Sequence, residues 1–360
     1  MRIGPQHLVD LAAGAAFLGT GGGGDPYIYR LATAAALHEH GDVELVNLDD
    51  LPDSAVVMSI GGAGAPTIGR EKLPNGLEGQ WALRKLEAYL GKRADALIAA
   101  EIGGGNGLVP ILTAAHTRLP VVDGDGMGRA YPETQMMTFS IYGVSATPMS
   151  AVDEFGDGVV ITARDSVTAE RIVRQVGLAM GGQCMCADHA MDAETARRVA
   201  VKGTVTLALE LGRQIRQSAD LAAFVAASRS HLEAAGYGAA VPLLEGKVVD
   251  VSRDLVGGYD VGVVKLKSFT TARTMQIMVR NEYLVAIEEG RYIATVPDLI
   301  CIVDNDTLEP ITSERIRYGQ RVAVIGVGAP PTYRTPEALA VTGPRAFGFD
   351  VDFTPLDNTN

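Results

Sequence analysis

Three apolar segments constrain this chain most: AVVMSI at 55 to 60, ALIAAEI at 96 to 102 and PVVDGD at 120 to 125. Each is short enough for a strand and too continuously apolar to have a solvated face. Helix patterns separate them, LEGQWALRKLEAYLG between the first two and GLVPILTAAH between the last two. Strands alternating with helices predict an α/β layer with a largely parallel sheet. The glycine-rich stretches SIGGAGAPTIGR, EIGGGNG and VDGDGMGRAYPE fall where those strands end. Parallel strands bring their carboxyl ends to one rim, where open α/β sheets bind ligands. One site is therefore expected to collect all three loops.

At 360 residues the chain exceeds one ordinary core. Helices are expected at Pro5 to Leu18 and Tyr27 to His40 before the first of those strands. Beyond about residue 160, two helix patterns, SVTAERIVRQVGLAMG and DAETARRVAVKGTVTLALELGRQIR, and a third from Leu221 to Ala235 give way to short β-like stretches such as YDVGVVKLKSF, ARTMQIMV and RVAVIGV. The expectation is an α/β domain over 1–165 and a β-rich α+β domain over 166–360, without a clear linker. The end, DFTPLDNTN, reads as a frayed tail.

A net charge of −12 would repel nucleic acid and anionic membranes, so neither is expected as a partner. Three cysteines cannot build a disulfide framework, which favours a reducing compartment. Residues 1 to 20 lack a basic start followed by an apolar stretch, so a cytoplasmic protein is expected. A dimer is the base expectation for its assembly.

Familiar motifs fit poorly. GGGNG has a G-x-G-x-G spacing rather than that of a dinucleotide turn, DGDGMG carries acids that would repel a pyrophosphate, and GAPTIGRE lacks the lysine of a phosphate loop, so no nucleotide is expected. There is no G-x-S-x-G, and none of the six histidines sits beside an obvious nucleophile in the sequence. His38 and His40 lie at a helix end, where a spacing of two sends side chains to opposite sides. CMCADH gathers Cys184, Cys186, Asp188 and His189, a donor set for a divalent metal or a buried turn. Asp123 and Asp125 share one strand face, as an acid and base pair, as metal ligands, or as helix caps that pair with Arg129. Asn281 and Glu282 read as a hairpin corner or as ligand contacts. Strand-end glycines suit tight turns, or backbone donors brought close to a small ligand.

Taken in order, TGGGGDP, SIGGAGAPTIGREKLPNG, EIGGGNGLVP, VVDGDGMGRAYPETQM, NEYLVAIEEGRYIATVPDLICIVD and GPRAFGFD resemble the S-methyl thiohydantoin desulfurase-like family over nearly the whole chain. The resemblance implies removal of sulfur, as a thiol, from a five-membered thiohydantoin ring by water. It also implies an association with hydantoinase and oxoprolinase subunits. Such chemistry needs a base for the water, an acid for the ring nitrogen or the leaving group, and donors for the carbonyl. Asp123 or Asp125 would be the base and Glu133 or Glu101 the acid. Asn106 and the backbone of Gly103, Gly104 and Gly105 would be the donors, and Arg70 or Arg129 would hold a substrate carboxylate. The rival expectations are a non-catalytic subunit of a hydantoinase-type complex and a nucleotide-dependent α/β enzyme.

Overall fold

The computed structural model describes residues 1–356. Among them, a nine-stranded sheet comprises β1 (Arg2–Ile3), β2 (Val43–Val46), β3 (Val56–Gly64), β4 (Ala96–Ala99), β5 (Val121–Asp125), β6 (Met149–Val152), β7 (Gly158–Ile161), β8 (Gln183–Asp192) and β9 (Val201–Lys202). Its order is β1-β2-β5-β4-β3-β8-β6-β7, with β9 paired to β5. The strands β2, β5, β4 and β3 run parallel, and the rest pair antiparallel around them. The expected α/β layer is present, and β8 and β9 from beyond residue 165 complete it.

The central strands are apolar on both faces because both faces are covered. Leu97 and Val121 point into one core, built with the helices Leu8–Leu18, Glu78–Leu90, Val109–Thr117 and Thr204–Gln217. Their neighbours Ala96, Ile98 and Val122 point into a second core, with Phe139 and the short helix Ala193–Val199.

The second sheet has seven strands: β10 (Ala240–Val256), β11 (Tyr259–Ser268), β12 (Thr274–Arg280), β13 (Glu282–Glu288), β14 (Arg291–Thr295), β15 (Leu299–Asp304) and β16 (Arg321–Val327). All its pairings are antiparallel, in the order β14-β13-β12-β11-β10-β16-β15. Cys301, Ala323, Ile325 and Val327 join the core around the first helix, so the two sheets share apolar surface. No helix among the described residues is long and apolar enough to cross a membrane.

Two local expectations are corrected. The segment 192–216 is two helices rather than one, Ala193–Val199 and Thr204–Gln217, interrupted by β9 and by Gly203 at φ 75°. The second helix begins afresh because Asp123 Oδ1 accepts hydrogen bonds from Val205 N and Thr206 N, both at 3.0 Å. The tail is pinned as far as Leu356, which is buried and donates its N–H to Asp298 Oδ2 at 2.8 Å. Residues 357–360 of that expectation lie outside the described residues.

Candidate active-site cleft

A cleft with a cavity of about 90 Å³ opens at the carboxyl ends of the parallel strands. That is several times the roughly 10–15 Å³ a single water needs. Its wall takes Gly61 to Gly64 from β3, Glu101 and Asn106 from the segment after β4, and Tyr131 and Glu133 from the segment after β5. The glycine-rich strand ends thus meet at one rim, as parallel pairing requires. β8 adds Cys186 and Asp188, the helix Ser166–Ala179 adds Glu170 and Arg174, and the second sheet adds Asn281 and Glu282.

Glu101 is buried, with Oε1 accepting from Asn106 Nδ2 at 2.6 Å and Oε2 from Tyr131 N at 3.2 Å. Burial nevertheless dominates and pushes its pKa up to about 8, so the carboxyl is largely neutral at pH 7. Asn106 is held in turn by Gly62, whose N–H donates to Oδ1 at 2.7 Å and whose carbonyl accepts from Nδ2 at 3.1 Å. Glu282 is also buried, and its Oε2 has no hydrogen-bond partner among the described residues. Burial, and then the Glu101 charge, hold its carboxyl well above the usual range. Glu133 is anchored differently, with Oε1 accepting from Arg280 Nη2 at 2.5 Å and from the Tyr259 hydroxyl at 3.2 Å.

Glycines 103 to 105 do not face the cleft. Their loop packs backbone to backbone against the 19–24 loop, where Gly105 N donates to Gly24 O at 2.9 Å and Asn106 N to Gly23 O at 3.3 Å. Gly104 has φ 58°, and a Cβ there would lie 2.4 Å from the Gly24 carbonyl oxygen. The backbone donor at Gly105 expected to meet a ligand is spent on a second glycine loop, the Asn106 amide donates to Glu101 and Gly62 at the cleft wall, and it is Gly23 and Gly24 that reach the cleft.

The β5 acids also serve elsewhere. Asp123 caps the Thr204–Gln217 helix, also accepting from Thr206 Oγ1 at 2.5 Å. Asp125 is fully buried, and its Oδ2 accepts from the N–H groups of Ile102, Met127 and Gly128 at 2.8, 3.1 and 2.8 Å. Burial pushes its pKa up to about 7. It shapes the segments that carry Glu101 and Tyr131, and neither acid lines the cleft.

The expected arginines are likewise outside. Arg70 is exposed and donates to Glu314 O at 3.3 Å. Arg129 is buried between the sheets, donating to Pro297 O, Asp298 O and Thr20 Oγ1 at 3.0, 2.9 and 2.6 Å. The cations on the cleft wall are Arg174 and Lys72. Arg174 bonds Glu170 Oε1 through Nε and Nη2 at 3.0 and 2.6 Å, and Lys72 Nζ lies 2.6 Å from Glu154. Sequence reasoning missed Glu170 and Arg174. Their signal was an Glu–Arg pair at i,i+4 bordering the buried stripe Ala169, Val173 and Gly177.

Cys184 and Cys186 share one face of β8, with sulfurs 3.9 Å apart. Their mutual hydrogen bond holds the Cys184 thiol below its ordinary pKa and the Cys186 thiol well above it. His189 Nδ1 lies 2.8 Å from Asp188 Oδ1, and its Nε2 lies 2.8 Å from Ser140 Oγ. A histidine thus sits beside a serine that is 49 residues away in the sequence. Among the described residues no group of three or more His, Cys, Asp or Glu side chains is placed to hold a metal ion, so the candidate ligands Asp123, Asp125, Cys184, Cys186 and His189 are not assembled.

A mixed sheet with a parallel centre bound to an antiparallel one, with buried carboxyls at the shared rim, defines a two-sheet protein built around a small acidic cleft. The chain belongs to the S-Me-THD-like family: the family's N-terminal domain matches residues 6–163 and its C-terminal domain residues 164–356. No curated protein matches the chain. Among solved structures it is similar to a protein from Chromobacterium violaceum, a Northeast Structural Genomics Consortium target. That likeness has a TM-score of 0.84 at 24% identity, covering 99% of this chain and 100% of the other, and it speaks to the fold alone.

Proposed function

We propose that the cleft is the active site of a hydrolase that removes sulfur from a thiohydantoin or S-methyl thiohydantoin ring, releasing a thiol as water adds at C2. Family membership supports the substrate class. The observation that carries the chemistry is Glu101, a carboxyl on the cleft wall whose pKa of about 8 keeps it largely protonated at neutral pH. With an S-methyl thiohydantoin such a group gives a proton to the ring nitrogen of the C2=N bond from one oxygen while the other takes the proton of the attacking water; with a thiohydantoin the bond opened is C2=S, so the proton goes to sulfur, which leaves as hydrogen sulfide. The product is a tetrahedral C2 bearing hydroxyl and sulfur. Asp188, on β8 two strands from β4, protonates the departing sulfur and recovers the hydroxyl proton as the ring carbonyl forms.

At Gly24 the wall leaves room for a flat ring to approach, since a Cβ there would meet nothing within 4 Å. Arg174 and Lys72 take the place expected of Arg70 and Arg129 for a substrate carboxylate.

The test is thiol release, read with a chromogenic disulfide, from a panel of thiohydantoins and S-methyl thiohydantoins, with plain hydantoins as controls. Release that disappears in Glu101→Gln supports the reading. Absence of thiol from every sulfur-bearing ring with folded protein would overturn it.

A further inference from the structure

Asp188 and His189 are adjacent in sequence, and adjacent residues on a regular strand point to opposite faces. Here their side chains are hydrogen-bonded, because β8 is not regular at this point. Against β3, Val57 pairs with Met191 and Ser59 pairs with Asp188, so His189 and Ala190 together oppose Met58 alone. This is a β-bulge, the device by which a strand re-aims one side chain, and bulges concentrate beside active sites. His189 takes φ 40°, a conformation that side-chain-bearing residues rarely adopt. Its ring is fully buried and packs on Phe139 with centroids 5.4 Å apart.

The contacts continue outward. Asp188 lines the cleft, His189 bridges it to Ser140 with both contacts at 2.8 Å, and Ser140 Oγ lies 3.0 Å from Ser166 Oγ. Asp188 and His189 are buried, whereas Ser140 and Ser166 are half-buried. In a nucleophilic triad the hydroxyl meets the substrate and the acid is hidden behind the imidazole. Here the carboxylate is at the cleft and the hydroxyls lead away from it.

We infer that Asp188, His189, Ser140 and Ser166 form a proton relay between the cleft and the outer face of the protein. In the inward stroke Ser140 gives its hydroxyl proton to His189 Nε2, regains one from Ser166, and Ser166 regains one from solvent. His189 Nδ1 gives its proton to Asp188. Asp188 has then gained one proton, solvent has lost one, and the imidazole has exchanged its Nδ1–H for an Nε2–H. The outward stroke is the reverse and restores the first tautomer. Asp188 can thus give a proton to a leaving group and discharge the one it takes back. Its use in turnover rests on the hydrolytic reading of the cleft, but the relay itself does not.

The experiment follows solvent exchange of the His189 ring N–H by NMR on protein labelled with 15N-histidine, in wild type, Ser140→Ala and Ser166→Ala. The relay predicts that exchange slows about tenfold or more in both variants, with the ring still hydrogen-bonded to Asp188. Ser166→Ala leaves the imidazole contacts untouched, so it guards against a local disturbance at Ser140. Unchanged exchange in both would overturn the relay. In thiol release, Ser140→Ala should lower kcat about tenfold with KM unchanged, and added imidazole should restore it, which a purely structural serine would not allow. Absence of turnover in the wild type would sink the hydrolytic reading while the exchange result still decides the relay. Covalent labelling of Ser140 by a fluorophosphonate would also overturn it, by making that serine a nucleophile.

Discussion

Asn106 donates from Nδ2 to Glu101 Oε1 at 2.6 Å, and the same amide group is fixed on both its atoms by the backbone of Gly62. The carboxyl is thereby locked between β3 and β4 with no choice of rotamer, which is how a buried acid is kept at one geometry for proton transfer. Glu101→Gln keeps the shape and most of the hydrogen bonds but cannot give up a proton. Thiol release should fall by about a hundredfold or more. Because Glu101 acts while protonated, kcat/KM should decline above about pH 8, where its carboxyl ionises. A rate that rises through that pH would reverse its role.

Stability should depend on pH in a direction opposite to that of salt-bridged acids. Glu101 is raised from 4.5 to about 8, Asp125 from 3.8 to about 7 and Glu314 from 4.5 to about 7, in each case mainly by burial. A carboxyl with a raised folded pKa contributes stability that is fully present below its unfolded pKa and is lost as pH climbs through its folded one. The unfolding midpoint should therefore fall between about pH 5 and pH 9 in scanning calorimetry. Glu314→Gln, away from the cleft, should flatten part of that slope.

Arg129 is a structural cation. It is 1% exposed and donates to Pro297 O, Asp298 O and Thr20 Oγ1, with the Tyr131 ring 4.7 Å from its guanidinium carbon. Lysine cannot span these acceptors, because it lacks the planar fork. Arg129→Lys should cost about 2–4 kcal/mol in urea unfolding, through carbonyls left unpaired. Folded variant should retain a KM near the wild-type value, since Arg129 does not line the cleft. A large change in KM with unchanged stability would return it to the substrate.

Asp123→Ala separates the cap from the catalyst. Loss of its bonds to Val205 N and Thr206 N should destabilise the protein by about 1 kcal/mol. Thiol release at a temperature well below unfolding should be unchanged. A hundredfold fall would restore Asp123 to the chemistry.

Much of the molecule was legible because its cause is local. Continuous apolarity at 96–99 and 121–122 records burial on both faces, and the glycine-rich stretches mark the strand ends. Glu101, Asn106, Glu133, Asn281 and Glu282 therefore reach one cleft from positions that could be named in advance. Asp123, Asp125 and Arg129 were equally conspicuous but are consumed by partners such as Thr206, Ile102 and Pro297. A carboxylate that caps a helix and one that faces a ligand look the same in a sequence, because the partner that distinguishes them is distant: Thr206 lies 83 residues from Asp123 and Ile102 lies 23 from Asp125.

The sequence by itself determined the α/β layer, the β-rich second half and the rim where the loops gather, since alternation of apolar strands and amphipathic helices is a property of neighbours along the chain. Only the tertiary structure decided which polar groups remain free at that rim. It spent the backbone of Gly105 and Asn106 on the Gly23–Gly24 loop, turned His189 toward Asp188 with a bulge, and left Glu101 dry enough to hold its proton. Hydrogen-bond saturation and desolvation are set by what packs against a residue, and that is fixed when distant segments close over one another.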